Sequence, residues 1–162
     1  MTGIDKFLTA ESNLIDAVVA FLVMEDKVLL MDRIRGLGKG LKSGVGGKLE
    51  PGENHTHALI RELDEEIRVI VTEWEEYGRV RFVWEGKPHA SMDVRIYLVT
   101  EWQGEPTETD VAKPKWYSRN QLPTSEMWVD NELWVPKVLD RQQVDLVVIY
   151  SKDNEISEYR FL

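Results

Sequence analysis

Cysteine is absent from the 162-residue chain. Disulfides and thiolate metal sites are therefore excluded, which suits a reducing compartment and makes a cytoplasmic location the expectation. Long apolar runs are missing as well. None approaches the roughly 18 residues that a membrane span needs, and residues 1–12 show no signal-peptide pattern. Positive charge is in deficit: 20 Lys and Arg stand against 29 Asp and Glu, for a net charge of −9. Such a surface does not favour wrapping a nucleic-acid polymer, which needs a basic footprint. The expected partner is a small molecule. An acidic protein can hold even a polyphosphate, provided divalent cations bridge the like charges.

What is present has a globular balance, 43% hydrophobic and 30% charged. There is no internal repeat, low-complexity tract or linker, so a single domain over residues 1–162 is expected, long enough to bury its own core. With no obvious association stripe, the expected state is a monomer. Six tryptophans are many for this length; most should be structural, and some could offer flat faces to a ring.

Periodicity sketches the elements. Residues 14–24 and 27–32 read as two strands of a hairpin around Glu25 and Asp26. Residues 35–47 hold six glycines in thirteen positions, a density that points to tight turns or close approach to a ligand. Residues 55–67 read as a helix, because Leu59, Leu63 and Ile67 recur every fourth position with Ile60 beside them. Short strands are expected at 69–72 and 116–117. A hairpin over 77–85 and 92–102 turns at Gly86–Pro88, and Asp130 can cap a helix through Trp134 and Leu139. Strands at 144–150 and 156–161 close the chain. The fold class is α+β, a mixed sheet with two main helices.

One stretch carries chemistry. On the helix, Glu62, Glu65 and Glu66 stand at i, i+3 and i+4 and share a face. A solvated acidic face is the ordinary reading of such a run. Against it, the carboxylates lie in the second half of the helix, where the dipole disfavours them. The turn at Glu50, Pro51, Gly52 and Glu53 and the glycine-rich loop lie directly upstream. Clustered carboxylate oxygens are what Mg²⁺ or Mn²⁺ prefers, and such ions bridge to phosphates.

Residues 47–69 resemble the Nudix box, Gly-x5-Glu-x7-Arg-Glu-apolar-x-Glu-Glu-x-Gly-apolar. The match is at Gly47, Glu53, Arg61, Glu62, Leu63, Glu65, Glu66 and Val69, with Arg68 where the family has glycine. The chain is on these residues identified as a member of the Nudix hydrolase family, with a mixed sheet sandwiched between helices. The resemblance implies that Glu62, Glu65 and Glu66 bind divalent metal with the carbonyl of Gly46, and that Glu53 and Arg61 pair as support. Residues 28–31, 44–48, 114–116 and 127–134 are similar to the MutT-like branch, whose members sanitise nucleotide pools of oxidised purine triphosphates such as 8-oxo-dGTP. By that likeness Trp128 stacks on the base, Asp130 reads its edge, and Phe82, Trp84 and Met92 line the pocket.

Three further departures fall beside these positions. Asn131 replaces a second edge-reading Asp, exchanging an acceptor for a donor-plus-acceptor amide. Ser43 replaces a base-contacting Asn. Val111 stands where the family has an acidic ligand, with Asp110 and Glu108 near enough in sequence to substitute. A left-handed Arg68 would cost about 1 kcal/mol, and a local adjustment of the helix end is expected. His55 and His57 read as exposed polar residues. The implied activity is hydrolysis of a purine nucleoside triphosphate to monophosphate and pyrophosphate with Mg²⁺. Alternatives are another nucleoside diphosphate linked to a moiety X, or a nucleotide-binding module without catalysis.

Overall fold

The computed structural model describes residues 1–10, 13–36 and 38–162. The hairpin forms as expected. Strand β1 (Ile15–Met24) turns at Glu25, whose φ is 57°, and returns as β2 (Lys27–Arg33), pairing Val23 with Val28. The glycine-rich segment supplies two short strands, β3 (Lys42–Ser43) and β4 (Val45–Lys48). Helix α2 (His55–Ile67) follows, preceded near the N-terminus by α1 (Gly3–Thr9). Strands β5 (Ile70–Trp84), β6 (Met92–Gln103), β7 (Ala112–Ser118), β8 (Val144–Tyr150) and β9 (Ile156–Phe161), with helix α3 (Asn131–Leu139), complete the chain.

The sheet runs β3-β2-β1-β6-β5-β8-β9, with β4 also on β1 and β7 also on β2. Pairs β1·β6 and β5·β8 are parallel and the rest antiparallel, so the sheet is mixed. Strand β1 is a shared wall. Val18, Ala20 and Leu22 point into a core with Leu59, Leu63, Ile67 and Tyr97, under α2. Val19, Phe21 and Val23 point the other way, into a core with Val80, Ile96, Trp134, Val135 and Val138, under α3. The period of two in a strand builds both cores from one segment.

Three expectations are corrected here. The strands expected at 69–72 and 77–85 are one element, β5, carried through register shifts between Val71 and Arg79. Gly78, at φ 97°, lets β5 approach β8 so closely that a Cβ would lie 1.9 Å from the carbonyl oxygen of Val144. Helix α1 was not expected. Only seven residues long, it is fixed by a capping box between Thr2 and Asp5 and by Ile4 packing on Val147 and Ile149. Asp130 takes the N-cap position of α3, but its side chain caps no backbone group. Among the described residues, no helix is long and apolar enough to cross a membrane.

Candidate active site

Helix α2 begins where expected because Asn54 caps it, its Oδ1 accepting from the His57 N–H at 2.9 Å. The apolar stripe Leu59, Leu63 and Ile67 is fully buried. That packing turns two of the acids inward. Glu62 and Glu66 are only 8% and 6% exposed, whereas the side chain of Glu65 is 55% exposed. The expected single acidic face is therefore split: two carboxylates look at the sheet and one at solvent. Glycine at 47 lets β4 pass close to the Glu62 carboxylate; a Cβ there would sit 2.5 Å from Glu62 Oε1.

Two arginines hold this cluster. Arg61 grips Glu53 with two nitrogens, both at 2.8 Å, and its Nη1 reaches Glu62 Oε1 at 3.0 Å and Glu65 Oε2 at 3.1 Å. Its Nη2 also donates to the Lys48 carbonyl at 3.1 Å. The expected Glu53–Arg61 pair thus forms, tying the turn at 50–53 to α2 and β4. Gly52 supplies the turn's positive φ of 78°. The guanidinium of Arg61 holds the Glu53 carboxyl down at about 2. Arg33, at the end of β2, places Nη2 3.3 Å from both the Gly46 carbonyl and Glu66 Oε1. Burial raises Glu62, opposed by Arg61, and lifts Glu66 to about 7, opposed by Arg33.

These oxygens suit a hard cation. Gly46 O and Glu66 already converge on one cationic nitrogen of Arg33, and Glu62 borders the same space. Glu65 would join only by turning away from Arg61. Among the described residues, no three acidic or histidine side chains are preassembled around a single point.

The cavity beside them measures about 420 Å³. It is lined by Arg33, Gly46, Glu62 and Glu66, and also by Ser43, Phe82, Trp84, Met92, Trp128, Asp130, Asn131 and Tyr150. Every base-pocket candidate from the sequence is therefore brought together with the carboxylates. The ring of Trp84 stacks on Tyr150 at 4.2 Å and 8°, and Trp128 meets Trp84 edge-on at 5.6 Å and 74°. Half-buried Trp128 keeps part of its indole open to this space. Ser43 donates its hydroxyl to the Gly44 carbonyl at 2.9 Å. A larger groove of about 730 Å³ lies elsewhere, but its Arg119 and Arg141 are already paired with Asp140 and Glu75.

Several expectations fail to reach the site. Asp110 is 95% exposed beside Arg35, Glu108 is exposed, and neither lines the cavity. The loop is instead fastened by Thr109, whose hydroxyl donates to the Glu66 carbonyl at 2.7 Å. His57 is exposed as expected, but His55 is half-buried, its Nε2 without a partner among the described residues. Arg68 does not alter the helix end. It adopts φ 61° and ψ 38°, with its N–H on the Asp64 carbonyl. Arg33 and Tyr150 were missed. Each ends a strand, and sequence spacing gives no sign that those ends meet.

The profile of the NUDIX domain family matches residues 13–138. This chain belongs to the Nudix family. The Nudix chain is 35% identical over 125 residues to the oxidized purine nucleoside triphosphate hydrolase of Danio rerio, covering 77% of this chain and 80% of that protein. It is 32% identical over 95 residues to the 8-oxo-dGTP diphosphatase of Haemophilus influenzae, covering 59% and 68%. Among solved structures, the mutator MutT protein from Bacillus halodurans superposes with a TM-score of 0.78 at 27% identity, over 91% of this chain and 97% of that one. The Nudix fold thus spans both cores and the cavity between α2 and α3.

Proposed function

We propose that this protein is a Mg²⁺-dependent nucleoside triphosphate pyrophosphohydrolase of purine or oxidised purine nucleotides such as 8-oxo-dGTP, yielding the monophosphate and pyrophosphate. One observation carries the reading: a single cavity is lined both by a slot of indoles and by buried carboxylates. A ring-shaped, multiply anionic ligand answers to both. The names of the Danio rerio and Haemophilus influenzae relatives support the same substrate class.

On this reading Glu62, Glu65, Glu66 and the Gly46 carbonyl hold Mg²⁺, with Mn²⁺ an acceptable substitute. Bound there, the metal would neutralise phosphate charge and lower the pKa of an attacking water. Glu62 accepts that water's proton as the new P–O bond forms and the phosphoanhydride P–O bond breaks. Glu53 and Arg61 keep the turn and helix in register. Trp128 stacks on the base, Phe82, Trp84 and Met92 wall the slot, and Ser43, Asp130 and Asn131 line its polar side. Residues 1–162 act as one unit, a cytoplasmic monomer.

The test is incubation with Mg²⁺ and a panel of normal and oxidised nucleoside triphosphates, ADP-ribose and dinucleoside polyphosphates, followed by product identification. Monophosphate plus pyrophosphate from a purine triphosphate is the expected outcome. Turnover of a sugar-linked diphosphate alone would move the substrate to the nucleoside diphosphate-X class. Tight binding without product would make the protein a nucleotide sensor.

A further inference from the structure

Asp130 is withdrawn from the pocket that it borders. It is 2% exposed, and both carboxylate oxygens are taken. Oδ1 accepts from the Tyr150 hydroxyl and Oδ2 from Trp134 Nε1 at 2.7 Å. The Tyr150 oxygen in turn accepts from the Asp130 N–H at 3.3 Å. Tyr150 is held flat against Trp84, so the Asp130–Tyr150–Trp84 unit is a closed piece of wall. Asn131 differs. One amide hydrogen is spent on the Trp128 carbonyl at 3.1 Å, and the carbonyl oxygen Oδ1 meets no donor among the described residues. Asn131 is 7% exposed and lines the cavity. A second N–H lies beside Oδ1 on the same amide.

Resting on the proposed purine-nucleotide reading, we infer that the base edge is read by Asn131 rather than by Asp130, which serves as a positioning residue that fixes the wall through Tyr150 and Trp134. A neutral amide offers one acceptor and one donor side by side. It pairs with any ring edge that presents the complement: the amino group and N1 of adenine, O6 and N1–H of hypoxanthine or guanine, or O8 and N7–H of an 8-oxo purine. A carboxylate would instead reward two adjacent donors, such as N1–H and the 2-amino group of guanine. The preferred substrates are thus purines of either 6-amino or 6-oxo type, with no premium on the 2-amino group.

Binding of GMP, IMP and AMP by isothermal titration calorimetry tests this without requiring turnover. Wild-type protein should bind GMP and IMP within about threefold of one another, because the 2-amino group finds no acceptor. Asp130→Asn, which can still bond Tyr150 and Trp134, should shift all three affinities together. Asn131→Asp should favour GMP over IMP by about tenfold or more. Asn131→Ala should weaken all three, and serves if the aspartate variant fails to fold. A wild-type preference for GMP over IMP of about tenfold, abolished by Asp130→Asn, would show Asp130 reading the edge and overturn the inference. Unchanged binding in Asn131→Ala would overturn it too, with the purine reading intact. If folded wild-type protein binds none of the three, the purine reading falls and takes the inference with it.

Discussion

Arg33 Nη2 stands 3.3 Å from Glu66 Oε1, and at the same distance from the carbonyl oxygen of Gly46. A guanidinium thus occupies the meeting point of two oxygens proposed for a metal ion. The two cations compete for the same donors. Arg33→Gln should destabilise the metal-free protein by about 1–3 kcal/mol, since Glu66 loses its partner while remaining buried. The same variant should bind Mn²⁺ more tightly than wild type. Calorimetric titration with Mn²⁺ and thermal melts with and without the ion measure both effects. Weaker Mn²⁺ binding in the variant would mean that Arg33 helps to build the site.

The Glu53–Arg61 pair should hold until the pH is strongly acidic. Glu53 titrates at about 2 in the folded protein against an ordinary 4.5, because Arg61 favours its charged form. A depressed carboxyl pKa contributes stability that is fully present above about 4.5 and is lost as pH falls through about 2. Melting temperature followed from pH 6 to 2 should fall across that window. In Glu53→Gln the fall should be shallower and the starting stability lower. Parallel curves would mean that other carboxylates dominate acid unfolding.

Arg68 pays a backbone cost that glycine would not. Its side chain is exposed, so its φ of 61° is the main thing that a substitution changes. Arg68→Gly should raise stability by about 1 kcal/mol, measured by urea denaturation, with activity retained. A loss of stability would point to an electrostatic role for the guanidinium near the helix C-terminus.

Gly47→Ala probes how tightly β4 passes Glu62. The added carbon would lie 2.5 Å from Oε1 and must push the carboxylate aside. Nucleotide hydrolysis should drop by about tenfold or more, a barrier increase of about 1.4 kcal/mol. Wild-type kcat/KM in a folded variant would show that the position of Glu62 is immaterial.

Glu65→Gln tests the exposed member of the set. Among the described residues its carboxylate bonds only to Arg61, so the fold should survive. Activity should fall by about a hundredfold if Glu65 turns inward to the metal, a barrier increase of about 2.7 kcal/mol. Full activity would reduce the metal set to Glu62, Glu66 and Gly46.

Much of this was legible in one dimension. The spacing of Leu59, Leu63 and Ile67 drew α2 to the residue, because an apolar stripe recurring every fourth position has one helical solution. The candidate residues of α2 and of the pocket came from the family pattern, and the fold gathers most of them around one cavity. Other parts lay beyond local pattern. Strand β5 was split in two because Glu73, Glu75 and Glu76 are exposed where it bulges, so its alternation breaks without the strand ending. The burial of Glu62 and Glu66 was hidden because the helix period alone does not say how far a carboxylate lies over the sheet. Asp130 looked like a cap, and only the strand that ends at Tyr150 shows where its oxygens go.

Strand β1 constrains how the sequence of this protein can drift. Its odd and even residues belong to different cores, one under α3 and one under α2. Exchanging one aliphatic side chain for another disturbs a single layer. Inserting or deleting one residue would send every following side chain to the opposite layer and misalign Gly46 and Gly47, which pair with Val19 and Val18. This segment can therefore vary in identity but not in length, and insertions are to be sought in the exposed turn at Glu25 and Asp26 that follows it.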